Sequence, residues 1–155
     1  MMNDVNRMPR TREAMIFEAV AVVMVLIIWS VSIVVYNAAG GSAGTPPGWV
    51  PADAASAGNG VVFLMAGLGT FLVGLMLGSA YYPKTMVNMP FAMKNVRQLV
   101  EASRLCRVLA LLMAVMAVIL ELTILYEWMP MVLNVWVVLI VGVAFAWSFY
   151  IRKLR

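Results

Sequence analysis

The sequence contains no histidine and only one cysteine, Cys106. The absence of histidine removes the commonest general base and the most frequent zinc ligand, and it excludes any Ser-His-Asp or Cys-His arrangement. A single cysteine excludes an internal disulfide and a CxxC redox pair. Phosphate-binding loops of the GxGxxG and GxxxxGKS types are also absent. These absences predict that the chain is not an enzyme and that it uses no cofactor.

Charged residues are also scarce, at 12% of the 155 residues, whereas 64% are hydrophobic and the mean hydropathy is +0.94. Soluble domains average roughly 45–50% apolar and about 25% charged residues. A chain of this length cannot hide such an apolar excess in one globular core, because much of the surface of a small domain stays in water. The composition therefore predicts an integral membrane protein.

Four segments are long and apolar enough to cross a bilayer as helices, which takes about 20 residues each. They cover residues 16–36, 61–81, 107–126 and 131–150. Each ends at a tyrosine, a residue typical of the headgroup region. We predict an all-α, integral membrane four-helix bundle that forms one domain over residues 1–155, with an outer loop at 37–60 and an inner loop at 82–106.

The positions of the basic residues predict an orientation. All eleven Lys and Arg residues precede the first span, lie between the second and third spans or at the first residue of the third, or follow the fourth. Under the positive-inside rule, both termini and the inner loop are cytoplasmic. This topology accounts for the net charge of +4 without a nucleic-acid partner. A cleaved signal peptide is the alternative for the first span, although the apolar run exceeds the roughly 7–15 residues of a signal core.

The inner loop changes character along its length. Pro83 and Pro90 interrupt residues 83–91, which we predict to be non-helical. From Met93 onward, charged and apolar residues recur at helical spacing, which predicts an amphipathic juxtamembrane helix that runs into the third span. Its basic face is predicted to contact anionic lipid headgroups or a cytoplasmic protein. This face contains Lys94, Arg97, Arg104 and Arg107.

Glu121 is the most unusual residue of the third span, because a carboxylate inside a membrane is costly unless it is paired, hydrated or neutral. It follows Ala110, Ala114 and Ala117 at helical spacing, and such a face of small residues favours close packing between helices. We predict that Glu121 points into the bundle and pairs with Asn134 of the fourth span. The functional interpretation is a proton or substrate site, and the structural one is a hydrogen-bonded acid. Glu18 is interpreted as structural, paired with Arg107 or Lys84.

Small residues and methionines occur in patterns that have ordinary structural explanations. Gly74 and Gly78 form a GxxxG motif, and Gly142 with Ala146 forms a similar pair. Both motifs favour close helix packing, either within the bundle or in a homo-oligomer. Two MxxM pairs are compatible with Cu(I). However, the 14 methionines are spread over the whole chain, which favours packing over a metal site.

Short motifs occupy both loops. Tyr36-Asn37-Ala-Ala-Gly40 precedes Gly48-Trp49, and the inner loop reads PKTMVNMPF, which includes Asn88 and Pro90. This pattern resembles the HWN-x-x-G…G-W and P-x-x-x-N-Y-P-V motifs of a bacterial membrane family of unknown function, which includes the immunity protein of the sporulation-delaying toxin system. Tyr36 stands where the family has His, and Met89 stands where it has Tyr.

The resemblance implies a multi-pass protein of the cytoplasmic (inner) membrane of a prokaryote. It also implies a non-enzymatic function of the toxin-immunity or signalling type, which acts by binding a ligand or partner. The implied binding residues are Asn37, Gly40, Trp49, Pro83, Asn88 and Pro90. Two alternatives stay open, a small oligomeric transporter or channel that uses Glu121 and Asn134, and an accessory subunit of a larger membrane complex.

Overall fold

A computed structural model describes residues 8–38, 60–89, 93, 95–126 and 128–154 of the chain. These residues contain five helices and no strand, which confirms the all-helical class. The helices are α1 (Arg12–Ala38), α2 (Val61–Tyr81), α3 (Pro83–Met86), α4 (Val96–Leu122) and α5 (Met129–Lys153). Most of the predicted outer loop, with Gly40 and Trp49, lies outside the described residues, as do Pro90 and Lys94.

Four of these helices, α1, α2, α4 and α5, are long and apolar enough to cross a membrane. The predicted span at 61–81 is identical to α2. Gly60 begins this helix with a φ of 92°, a left-handed conformation that glycine adopts without a Cβ clash. The first and fourth predicted spans lie inside α1 and α5, which extend beyond them at both ends.

The segment after α2 differs from the prediction, because residues Pro83–Met86 form the short helix α3 instead of an irregular loop. Pro83 stands at the first turn of this helix. The missing N–H of proline costs nothing at that position, since the first N–H groups of a helix have no intrahelical partner. A proline that ends one helix therefore also begins the next.

The amphipathic segment and the third span form one continuous helix, α4, of 27 residues. The backbone N–H of Asn95 donates to Gln98 Oε1 at 3.3 Å where the helix begins. The helix ends at Leu122, four residues before the predicted end of the span, and residues 123–125 form turns. The charged residues distinguish the amphipathic segment from the span in the sequence, but the helix continues from one to the other without a break.

The core lies where α1, α2 and α4 pack on one another. The predicted small-residue face of α4 is confirmed, since Ala110, Ala114 and Ala117 are buried there. They meet residues from the other two helices: Ala21, Ile28, Ala66 and Val73. In the described part of the chain, α5 packs chiefly on α4, on the outside of this three-helix core.

Helices α2 and α4 approach closely at Gly69 of α2, where an added Cβ would lie 2.6 Å from the Cβ of Ala117. A Cβ on Gly74, Gly78 or Gly142 would meet no atom within 4 Å. Within one copy of the chain, the predicted GxxxG motif therefore does not mediate the close contact. Gly74 is exposed, because the rotation of α2 about its axis turns it away from α4.

Hydrogen bonds that attach α5 to α4 include one from Trp136 Nε1 to the carbonyl oxygen of Leu112 at 3.0 Å and one from Gln98 Nε2 to the carbonyl oxygen of Ile151 at 3.3 Å. We expect Trp136→Phe to destabilise this contact by about 1 kcal/mol, because an aromatic ring is kept and the bond is lost. Equilibrium unfolding in detergent micelles measures the change. Trp29→Phe is the matched control, since Trp29 donates to Thr70 at an exposed position. Equal losses in the two variants would contradict the prediction.

Candidate functional site

The carboxyl group of Glu121 is fully buried, with 0% of the residue exposed. Its Oε1 lies 2.9 Å from the Oγ of Ser32 on α1. Its Oε2 has no hydrogen-bond partner among the described residues. The prediction that Glu121 points into the bundle is therefore confirmed, and its partner belongs to the first helix of the chain.

The pair forms because both residues lie on the buried faces of their helices. Glu121 continues the small-residue face of α4, four residues after Ala117. On α1, buried residues recur every seven positions, and Ser32 lies one turn after the buried Ile28. The one-turn spacing from Ile28 places Ser32 on the buried face of α1, and the predictions from sequence did not include Ser32.

The predicted pairing of Glu121 with Asn134 is wrong, because the hydrogen-bond partner of Glu121 is Ser32. Asn134 is exposed on α5. Trp136 faces α4, and Asn134 lies two residues before it, which is roughly 200° around a helix. The two residues share a similar depth, but the direction of each side chain keeps them apart.

Glu121 lies at one end of the bundle, which we call the Glu121 end. It consists of the last turns of α1 and α4 and the first turns of α2 and α5. Next to the Glu121–Ser32 pair, an apolar cluster consists of Val35, Val62 and Leu125, all at most 5% exposed. We call this the Val35 cluster. Val35 and Leu125 follow Ser32 and Glu121 by three and four residues, and the side chains of the cluster carry no polar group.

The opposite end, which we call the Arg107 end, contains an ionic cluster. Glu18 accepts hydrogen bonds from Tyr81 and, at 2.7 Å, from Arg10. The guanidinium of Arg107 lies 5.8 Å from the centre of the Tyr81 ring, and Arg107 is only 5% exposed. The direct ion pair of Glu18 is therefore with Arg10 rather than with the predicted Arg107 or Lys84, while Arg107 is near enough to interact electrostatically with the carboxylate. The residues before α1 fold back on α2, where the N–H of Met8 donates to the carbonyl oxygen of Tyr81, and this brings Arg10 to Glu18.

The predicted basic face of the inner segment is divided by the fold. Arg97 is exposed. Arg104 is half-buried and forms ion pairs with Glu13 at 3.0 Å and with Glu101 at 2.7 Å. Arg107 lies inside the bundle rather than on this face. The reason is that α1 packs beside α4 and supplies a carboxylate to the same surface.

The residues of the loop motifs lie far apart. Asn37 is exposed near the end of α1, at the Glu121 end. Pro83 is buried at the start of α3, and Asn88 is exposed two residues after α3, both at the Arg107 end. The antiparallel pairing of α1 with α2 separates them, with Tyr36 against Phe63 at one end and Glu18 against Tyr81 at the other.

The described residues contain no group of three or more His, Cys, Asp or Glu side chains placed to hold a metal ion. In comparisons with known proteins, the chain matched no family model, no curated protein and no solved structure. The resemblance to the immunity-protein family stays a prediction.

Proposed function

We propose that the chain is a multi-pass protein of the inner membrane of a prokaryote that acts without catalysis by binding a partner, as an immunity or signalling protein. Its insertion in a membrane is supported by large apolar side chains exposed along α1, α2 and α5, such as Leu26, Leu64 and Val138, each more than 60% exposed. Exposed apolar surface on this scale is rare on soluble monomers.

In this proposal, both termini and the Arg107 end face the cytoplasm. The support is the distribution of charge, because every Lys and Arg in the described part of the chain belongs to the Arg107 half of its helix or to the adjoining segments. The positive-inside rule associates such a face with the cytoplasm.

The observation that carries the binding proposal is the position of α5. This helix packs chiefly on α4, and its outward face leaves Met131, Val135, Val138, Phe145 and Phe149 more than half exposed. The core of the other three helices is filled by apolar side chains. The surface of the bundle, rather than its interior, is therefore where we place the interaction.

Orientation is tested with single cysteines in a Cys106→Ala background. We expect a membrane-impermeant maleimide to label Trp128→Cys on intact cells, and Thr85→Cys and Lys153→Cys on inverted vesicles. All three positions are exposed, so labelling reports the side of the membrane. Labelling of the three cysteines from the same side, or in the reverse pattern, would contradict the proposed topology.

Function is tested by expressing the chain in a toxin-sensitive host. We expect the wild-type chain to protect the host, and Asn37→Ala or Asn88→Ala to reduce protection while the protein stays in the membrane. Asn134→Ala is the matched control, because Asn134 is an exposed asparagine outside both motifs. Absence of protection, together with absence of a partner that co-purifies at fixed stoichiometry, would overturn the proposal.

We also propose that Arg97 is a residue of the inner segment that contacts anionic lipid. The charge of Arg104 is opposed by Glu13 and Glu101, whereas Arg97 is exposed and has no ion pair among the described residues. We therefore expect Arg97→Gln to lower the preference for spin-labelled phosphatidylglycerol over phosphatidylcholine more than Arg104→Gln does. Electron paramagnetic resonance of reconstituted vesicles measures this preference, and equal losses would contradict the assignment.

A second candidate is a small oligomeric transporter, which the buried carboxyl of Glu121 favours. Flux into proteoliposomes that falls in Glu121→Gln would support it. Absence of flux in the wild-type chain would exclude it. The filled core of α1, α2 and α4 is the reason we prefer partner binding.

A further inference from the structure

We propose that Glu121 and Ser32 form a proton-binding site, in which the carboxyl of Glu121 is protonated in this structure and its loss of a proton opens the Glu121 end of the bundle. The ligand is a single proton, exchanged with water at that end. The site is independent of which partner the protein binds.

The Ser32 hydroxyl has one proton but lies within hydrogen-bond distance of two oxygen atoms. Its Oγ lies 2.9 Å from the carbonyl oxygen of Ile28 and 2.9 Å from Glu121 Oε1. A hydroxyl has one proton to donate, whereas a backbone carbonyl and an ionised carboxylate only accept. Both contacts are full hydrogen bonds when Ser32 donates to Ile28 and a protonated Glu121 donates to Ser32. The geometry therefore fits the neutral acid.

Among the described residues, no group other than the Ser32 hydroxyl lies within hydrogen-bond distance of the Glu121 carboxyl. Oε2 has no partner among the described residues, and the neighbouring Val35 cluster is hydrocarbon. A buried carboxylate with an unpartnered oxygen is strongly disfavoured in such surroundings. The neutral acid loses much less on burial.

The charged and titratable groups of each neighbouring helix are also consistent with a neutral Glu121. At the Glu121 end, α1 contributes Tyr36, the segment after α4 contributes Tyr126, and the described first halves of α2 and α5 contribute none. The remaining ionisable residues of α4, from Arg97 to Arg107, lie at least fourteen positions before Glu121. No described cation is placed to pair with the carboxylate.

The shortest route for the proton leads from Glu121 to the nearer end of the bundle. Toward the Arg107 end, the interior is filled by the core of alanine, isoleucine and valine side chains, which holds no described polar chain to Glu18. Toward the other end, Glu121 is one residue from the end of α4. The proton therefore passes to water at the Glu121 end, and the carboxylate left behind needs water that the Val35 cluster excludes. Separation of that cluster admits it.

Infrared spectroscopy of the full chain in lipid vesicles tests the protonation. We expect the carbonyl band of a protonated carboxylic acid at neutral pH, its loss in Glu121→Gln, and its retention in Glu18→Gln, since Glu18 is ion-paired with Arg10. Ser32→Ala keeps the acid and is expected to shift the band. Absence of the band from the wild-type chain, or a band that Glu121→Gln leaves unchanged, would overturn the proposal.

The opening is tested with Val35→Cys in a Cys106→Ala background, because Val35 is fully buried. We compare the rate of maleimide labelling with and without Glu121→Gln. The ratio of the two rates removes the pH dependence that comes from ionisation of the thiol, which both variants share. Release of one proton raises the ratio of the two rates by about tenfold per pH unit below the midpoint of opening, and the ratio levels off above that midpoint. A ratio that does not change with pH would show that the Glu121 end does not open, and would overturn the switch.

Discussion

Gly69→Ala is expected to destabilise the helical core by about 1–3 kcal/mol, the usual cost of overpacking. The added Cβ would lie 2.6 Å from the Cβ of Ala117. Both atoms are attached directly to helix backbones, so neither can rotate away, and α2 must move from α4. This displacement also disturbs the neighbouring contact with Ile28, which lies 3.9 Å from the same position. Equilibrium unfolding in detergent micelles or bicelles measures the loss.

Gly67→Ala and Gly74→Ala are the matched controls on the same helix, because a Cβ at either position meets no atom within 4 Å. We expect them to be neutral or slightly stabilising, since alanine is the better helix former. Ala117→Gly added to Gly69→Ala removes the clash and should recover part of the stability. If Gly69→Ala behaves like Gly67→Ala, the close approach of α2 and α4 is wrong.

Ser32→Ala is expected to cost about 1–3 kcal/mol of stability, because it leaves the buried carboxyl of Glu121 without a hydrogen-bond partner. The volume of the side chain changes little, so most of the effect comes from the lost bond. The same unfolding experiment measures it. Ser30→Ala is the matched control on the same helix, since Ser30 is exposed and its Oγ donates to the carbonyl oxygen of Leu26.

A double variant separates this bond from general effects on α1. Ser32→Ala with Glu121→Leu removes both polar partners, and replacing both members of a buried pair by apolar groups is often close to neutral. We therefore expect the double variant to be more stable than Ser32→Ala alone. Similar losses in Ser32→Ala and Ser30→Ala would show that the Glu121 pair contributes nothing to stability.

The positions of the helices were largely predictable, because the hydropathy of a membrane span depends only on residues that are consecutive in the sequence. α2 was located at both ends, and the predicted spans at 16–36 and 131–150 lie inside α1 and α5. α4 was divided into two segments by its charges, which the structure accommodates by pairing Arg104 with Glu13 and by burying Arg107. Glu13 comes from a distant part of the chain, so this pairing leaves no local signal.

Of the two residues of the candidate site, Glu121 was predictable from the sequence and its partner was not. The cost of an acid in an apolar span identifies Glu121 from sequence alone. Its partner depends on which helix faces it, and depth alone selected Asn134, which is exposed. The GxxxG spacing likewise selected Gly74 and Gly78, whereas the close contact is at Gly69.

The sequence by itself determined the helical class, the four long apolar helices, the concentration of basic residues and the presence of one buried acid. These properties depend on composition and on position along the chain. Only the tertiary structure decided that α5 lies outside a three-helix core, that Glu121 meets Ser32 and that Gly69 meets Ala117. The physical reason is that the rotation of each helix about its axis, which chooses the facing residues, is set by the packing of its neighbours.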